Sequence, residues 1–174
     1  MNEGFLNPEQ ILKNIPLRSD MIACDFGCGS GGWTIPLARK LKDGTVYAVD
    51  IIEDTLSILK SKASSQNILN IKTVIGNVEK DPKVKEDYFD LILITNLLFQ
   101  LEDKLKVLDS AKKDINQNGM ILVIDWKKDA PIGTSSGRVS LEEVKKMGEG
   151  IQLKVVKEFE AGNFHWGIIF KKNE

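Results

Sequence analysis

The chain has 174 residues, 42% of them hydrophobic, which fits one globular domain spanning residues 1–174 with a sizeable core and argues against a second folded domain. Its 24 Lys and Arg against 25 Asp and Glu leave a net charge of −1, which excludes a protein that grips a long polyanion by bulk electrostatics; no nucleic-acid partner is indicated. The cysteines, Cys24 and Cys28, cannot form a disulfide framework or a zinc-ligand set, and with no basic-then-apolar leader and no membrane-spanning run the expectation is a cytoplasmic protein without metal or membrane.

Taken in chain order, Asn7-Pro8-Glu9-Gln10 has the form of a helix start, with Asn7 as N-cap, proline at the first helical position and Gln10 placed to return the cap. Ile11, Leu12 and Ile15 give it a short apolar face before Pro16. This N-terminal helical segment, residues 1–20, either covers a ligand site as a lid or packs on a sheet. From Met21 an apolar run reaches Asp25 and Phe26, then a glycine-rich loop opens a helix over Gly32 to Lys42. Glycines at 27, 29 and 31 permit positive φ and close approach of the backbone to a ligand, and the N–H groups that start the helix point at whatever the loop holds. Cys24 reads as a small core residue and Cys28 as a loop residue.

Two ligands suit these glycines. Gly27, Gly29 and Gly32 satisfy the GxGxxG spacing of dinucleotide-binding folds, a weak match taken alone. Asp25 separates the readings, because it sets a carboxylate at the carboxyl end of the strand, where a pyrophosphate is repelled. S-adenosylmethionine has no phosphate and carries an ammonium at its methionine end, so an acid suits it there. A plain strand-to-helix turn is the remaining reading.

Ile35, Ala38 and Leu41 recur at helical spacing, Asp43-Gly44 ends the helix, and Thr45 to Asp50 is the next strand, completing a βαβ unit. Asp50 lies 23 positions after Gly27, near the offset at which such folds set an acid on ribose hydroxyls; the alternative is that it caps the following helix. Ile52, Leu56, Leu59 and Ala63 mark that helix, and Ile71 to Ile75 a third strand ending at Gly76-Asn77-Val78. Asn77 sits where an adenine edge lies in a sheet of this kind, or is an ordinary turn residue. Asp90 to Asn96 is a strand buried on both faces, Leu101 to Ile115 a helix closed by a turn over Asn116 to Gly119, and Met120 to Ile124 a strand ending in Asp125-Trp126. Lys127 to Gly137 is a long loop, Ser140 with Glu143 a capping box, and Ile151 to Phe159 with Phe164 to Lys171 a closing hairpin.

Together these residues resemble the class I S-adenosylmethionine-dependent methyltransferases. Asp25-Phe26-Gly27-Cys28-Gly29-Ser30-Gly31 is similar to that family's first motif, Val46-Tyr47-Ala48-Val49-Asp50 to its second, and Gly76-Asn77-Val78 to the adenine-contacting one. Leu98 to Lys104 and Asp125-Trp126 resemble the ubiquinone and menaquinone biosynthesis subgroup. The resemblance implies an α/β, Rossmann-like doubly wound sheet of seven strands, mostly parallel, with an antiparallel C-terminal hairpin strand. It implies S-adenosylmethionine as cofactor, S-adenosylhomocysteine as product, and a cofactor set of Asp25, Gly27, Cys28, Gly29, Gly31, Asp50, Ile51, Asn77, Val78 and Thr95. Asn77 stands where the family more often has Asp, and Asn116 to Gly119 replace its usual Pro-Gly-Gly turn.

A sulfonium methyl is already activated, so the expected work of the protein is alignment, with a general base only where the acceptor must lose a proton. Asp125 and His165 are the candidates for that base, though strand alternation sets His165 on a face distant from the ligand, and no catalytic residue is assigned. Trp33, Gln100 and Trp126 either shape an acceptor pocket or belong to the core. The acceptor is expected to be a small molecule under the N-terminal segment and the Lys127 to Gly137 loop; oligomeric state stays open. The rivals are an NAD-dependent oxidoreductase and a non-catalytic S-adenosylmethionine-binding regulatory protein.

Overall fold

Strand and helix alternate as the apolar periods require, and the strands meet in one seven-stranded sheet of order β3-β2-β1-β4-β5-β7-β6. The computed structural model describes residues 6–173. The elements are α1 (Pro8–Lys13), β1 (Ile22–Phe26), α2 (Thr34–Lys40), β2 (Thr45–Asp50), α3 (Glu53–Ser65), β3 (Ile71–Ile75), β4 (Phe89–Thr95), α4 (Lys104–Asp114), β5 (Ile115–Trp126), α5 (Leu141–Gly150), β6 (Leu153–Glu160) and β7 (His165–Lys172), with a 3-10 turn at Leu98–Gln100. The first five strands run parallel, and β7 inserts antiparallel between β5 and β6. The expected doubly wound architecture with its antiparallel last strand is the one observed.

The two-residue period of the central strands divides the core between the faces of the sheet. Ala23, Leu91, Leu93, Leu122, Ile124 and Ile169 join α1 and α2 on one face. Cys24, Ile92, Ile94, Ile121, Val123, Ile168 and Phe170 meet α4 and α5 on the other. In α1, the Asn7 side chain caps the helix by accepting from Gln10 N at 3.2 Å, and Leu12 and Ile15 are buried against Trp33 and Leu37. Met1 to Phe5 of the expected N-terminal segment lie outside the described residues. No helix among the described residues is long and apolar enough to cross a membrane.

Boundaries differ from expectation where distant contacts outweigh local pattern. α4 ends at Asp114 and β5 begins at once, with Ile115 opposite Phe89 and Met120 opposite Leu91. The residues Asn116 to Gly119, expected as a turn, are thus an extra segment of β5. Asn116 stabilises it by donating its amide to Asp90 Oδ1 at 3.1 Å and accepting from Asn118 N at 3.0 Å. α2 starts at Thr34 rather than Gly32, because the preceding residues close a turn in which Gly31 N donates to Cys28 O. β6 begins at Leu153, after Gln152 takes a positive φ.

Candidate functional site

β1 leads to α2 on one face and its neighbour β4 to α4 on the other, so the sheet has a switch point at its centre and a crevice beyond the strands' carboxyl ends. The crevice, about 380 Å³, is lined by Gly27 and Gly29, by Asp50, Ile51, Ile52 and Thr55, by Gly76 to Glu79, and by Leu97, Gln100 and Leu101. Of the residues named from sequence, it brings together Gly27, Gly29, Asp50, Ile51, Asn77 and Val78. Asp25, Cys28, Gly31 and Thr95 are not part of this lining.

The glycine loop is pinned from below and shaped by close packing. Gly27 N and Cys28 N both donate to Val49 O, at 2.9 and 3.0 Å. Gly27 has φ +68°, and a Cβ there would lie 2.6 Å from Leu97; at Gly31, with φ +90°, it would lie 2.3 Å from Leu59. A Cβ at Gly29 would instead enter open space, which is the room a ligand needs to approach the backbone.

Asp50 is held by two backbone donors at the crevice wall. Its Oδ2 accepts from Gly29 N at 2.8 Å and its Oδ1 from Ile52 N at 3.0 Å, so it ties the loop to the start of α3 while facing the crevice. Asn77 likewise makes a turn and lines the crevice, its Oδ1 accepting from Glu79 N at 2.9 Å. Glu79 then reaches across the crevice wall, where Oε1 accepts from Glu102 N and Asp103 N, both at 2.8 Å.

Asp25 is 1% exposed beneath the loop, and Thr34 donates its hydroxyl to Oδ2 at 2.6 Å. Its Oδ1 is buried and has no partner among the described residues. Burial pushes the carboxyl up to about 7; the Thr34 bond opposes this and the nearby Asp50 charge adds to it. Cys28 is buried with its thiol directed at Gly29 O, and burial raises its pKa, as it does for Cys24. Thr95 ends β4 opposite Ile124.

Ile52, Thr55, Glu79, Leu97 and Leu101 belong to the lining without having been expected there, and Gln100 was expected only on the acceptor side. Ile52 and Glu79 are near neighbours in sequence of Asp50 and Asn77, a usable signal. Leu97 and Thr55 enter only through tertiary packing.

At the ends of β5 and β7, Trp126 and His165 face each other in register, their rings 4.1 Å apart. His165 does not line the crevice; it pairs with Trp126 at the carboxyl end of β5. It is 4% exposed, and neither ring nitrogen has a partner among the described residues. Burial, then the Arg138 and Lys127 charges, hold its pKa down to about 4, so the imidazole is neutral near pH 7. Arg138 lies 5.4 Å from the Trp126 ring and donates to the carbonyls of Lys127, Lys128, Ala130 and Ile132, which wraps the long loop around it. Trp33 is a buried core residue beside Leu12 and Leu37. Asp125, 1% exposed, accepts from Phe99 N at 3.3 Å and Trp126 N at 2.7 Å, and burial pushes its carboxyl up to about 6.

A family model described as a methyltransferase domain matches residues 17–172. A demethylmenaquinone methyltransferase of Bacillus mycoides is 28% identical over 132 residues, which cover 75% of this chain and 55% of that protein. Its counterpart in Staphylococcus aureus is 29% identical over 118 residues, covering 67% and 48%. The chain thus spans about half the length of the curated relatives it matches. A crystal structure of a SAM-dependent methyltransferase from Aquifex aeolicus shares the fold, with a TM-score of 0.86 at 24% identity over 95% of this chain and 89% of that one. With the family's model covering the sheet, the glycine loop and Asp50 together, this chain belongs to the methyltransferase domain family and has its class I fold.

Proposed function

We propose that the protein transfers the methyl group of S-adenosylmethionine to a small-molecule acceptor by in-line displacement. The charge of the crevice carries this reading. Asp50 and Glu79 line it, Asp25 lies beneath the loop, and no Lys, Arg or His is among the lining residues. Four of the loop's donors are also engaged: Gly27 N and Cys28 N on Val49 O, Gly29 N on Asp50, and Gly31 N on Cys28 O. A pyrophosphate draws on cations as well as N–H groups and finds no cation in this lining, which disfavours the dinucleotide alternative. A cationic, phosphate-free nucleoside suits the same surroundings.

The bound cofactor supplies a methyl group activated by its sulfonium. Asp50 would hold the ribose hydroxyls through the lone pairs left on both oxygens, and Asn77 and Val78 would meet the adenine edge. Asp25, with Oδ1 unpartnered, provides the negative charge for the ammonium. Fixing one partner in this way and aligning the acceptor against it supplies on the order of 7 to 11 kcal/mol of the barrier. Asp125 already accepts from backbone N–H groups, and His165 lies off the crevice, so neither is assigned as a general base. The names of the curated relatives make demethylmenaquinone the first acceptor to try.

Calorimetric titration with S-adenosylmethionine, S-adenosylhomocysteine and NADH tests the reading. Micromolar binding of the first two and none of NADH is the expected result. Binding of NADH alone would replace it with the oxidoreductase reading, and cofactor binding without transfer to any acceptor would leave a regulatory protein.

A further inference from the structure

We propose that Asp125 is a positioning residue for the cofactor crevice: from β5 it holds the 3-10 turn Leu98–Gln100 whose neighbours form the crevice wall. This rests on the cofactor reading above. The first N–H groups of a helical turn need acceptors, and the residue that precedes this one, Leu97, supplies no side-chain cap. The carboxylate of Asp125, 26 positions further along the chain, takes that part, with Oδ2 accepting from Phe99 N at 3.3 Å and the Leu97 and Leu98 amides also directed at it. Its other oxygen accepts from Trp126 N at 2.7 Å, so one buried side chain joins the turn to the start of the long loop.

The turn is held from its other end as well. Gly137, with φ +74°, backs onto Phe99 so closely that a Cβ would lie 2.0 Å from the carbonyl oxygen. Leu97, Gln100 and Leu101 line the crevice, and Leu97 packs against Gly27 of the glycine loop. A displacement of the turn therefore reaches the cofactor-binding loop through Leu97. No cation neutralises Asp125 among the described residues, so backbone donors are what hold the carboxylate: Trp126 N beside it on β5, and otherwise the amides of the turn it places.

Asp90 is the matched control, since it also bonds backbone, accepting from Ile22 N at 2.8 Å at the opposite end of the sheet. The test combines S-adenosylhomocysteine titration with amide hydrogen exchange on Asp125→Ala, Asp125→Asn and Asp90→Ala. Asp125→Ala is expected to weaken binding about tenfold and to speed exchange at residues 97 to 100, with Asp125→Asn between it and wild type. Asp90→Ala should lower the melting temperature and leave affinity within about twofold. Wild-type affinity and exchange in Asp125→Ala, or an equal loss of affinity in Asp90→Ala, would overturn the proposal. Where the Ala variant does not fold, the Asn variant carries the same comparison. Should wild type bind neither cofactor form, the cofactor reading fails; exchange at residues 97 to 100 would still decide whether Asp125 holds the turn.

Discussion

Asp90 and Asp125 sit at opposite ends of the sheet and both bond backbone amides, yet their surroundings differ. Asp90 accepts from Ile22 N and the Asn116 amide, with the Arg18 guanidinium 3.8 Å away. At the same end of the sheet, ahead of β3, Asn70 donates to the carbonyls of Ala38 and Leu41, which closes the end of α2. At the carboxyl ends, Asp25, Asp50 and Asp125 have no ion-pair partner among the described residues, and burial pushes Asp25 up to about 7 and Asp125 to about 6. A cation beside these acids would relieve them, but it would also neutralise the charge that a cationic ligand is to meet. The amino end sets an arginine beside its acid.

The largest expected effect is at Asp50. Asp50→Ala leaves Gly29 N and Ile52 N without their acceptor and removes the proposed ribose contact, so cofactor affinity should fall about a hundredfold in calorimetry. Near-normal binding would break the distinction between the two ends. Asp25→Asn removes a charge and keeps an oxygen for Thr34, and should weaken binding about tenfold while flattening its dependence on pH.

The raised acids also set a sign for stability against pH. Each holds a proton in the folded protein that the unfolded chain has lost, so its stabilising contribution is complete below about pH 4 and gone by about pH 7. Asp114, pushed up to about 7 by burial and Glu86, adds to Asp25 and Asp125. His165 acts oppositely between its depressed value of about 4 and the usual 6.5, one group against three. The melting temperature of the ligand-free protein should therefore fall by several degrees from pH 5 to 7.5, and the stabilisation that S-adenosylmethionine adds should grow. A melting temperature that rises over this range would contradict the assignment. The smallest effect is expected for Lys62→Ala: its ammonium reaches Ser30 O at 3.3 Å and Ser30 Oγ at 3.1 Å from an exposed position, so affinity should change by no more than about twofold.

Much of this was legible in sequence because its causes are local. The alternation of apolar strands with helical stripes specified the doubly wound sheet, and the spacing from Gly27 to Asp50 joined two crevice elements. The start of β5 was not legible, since Asn116 to Gly119 has turn composition and is extended only by its contacts with Asp90 and Phe89. The bond from Asp125 to Phe99 joins the end of β5 to the 3-10 turn that follows β4, and no spacing rule announces it. Strand alternation gave the face of His165 and said nothing of which end of the sheet it would occupy.

The insertion of β7 between β5 and β6 has a consequence for assembly. β6 meets the sheet through β7 alone, so both outer strands depend on β7 docking against the β5 edge, and the sheet is incomplete until it does. Until it does, β5 presents the run Ile121 to Ile124 along unpaired backbone, the kind of edge on which partly folded chains aggregate. The Trp126–His165 pairing exists only once β7 has taken its place on β5, so that corner of the carboxyl end depends on the same edge being covered.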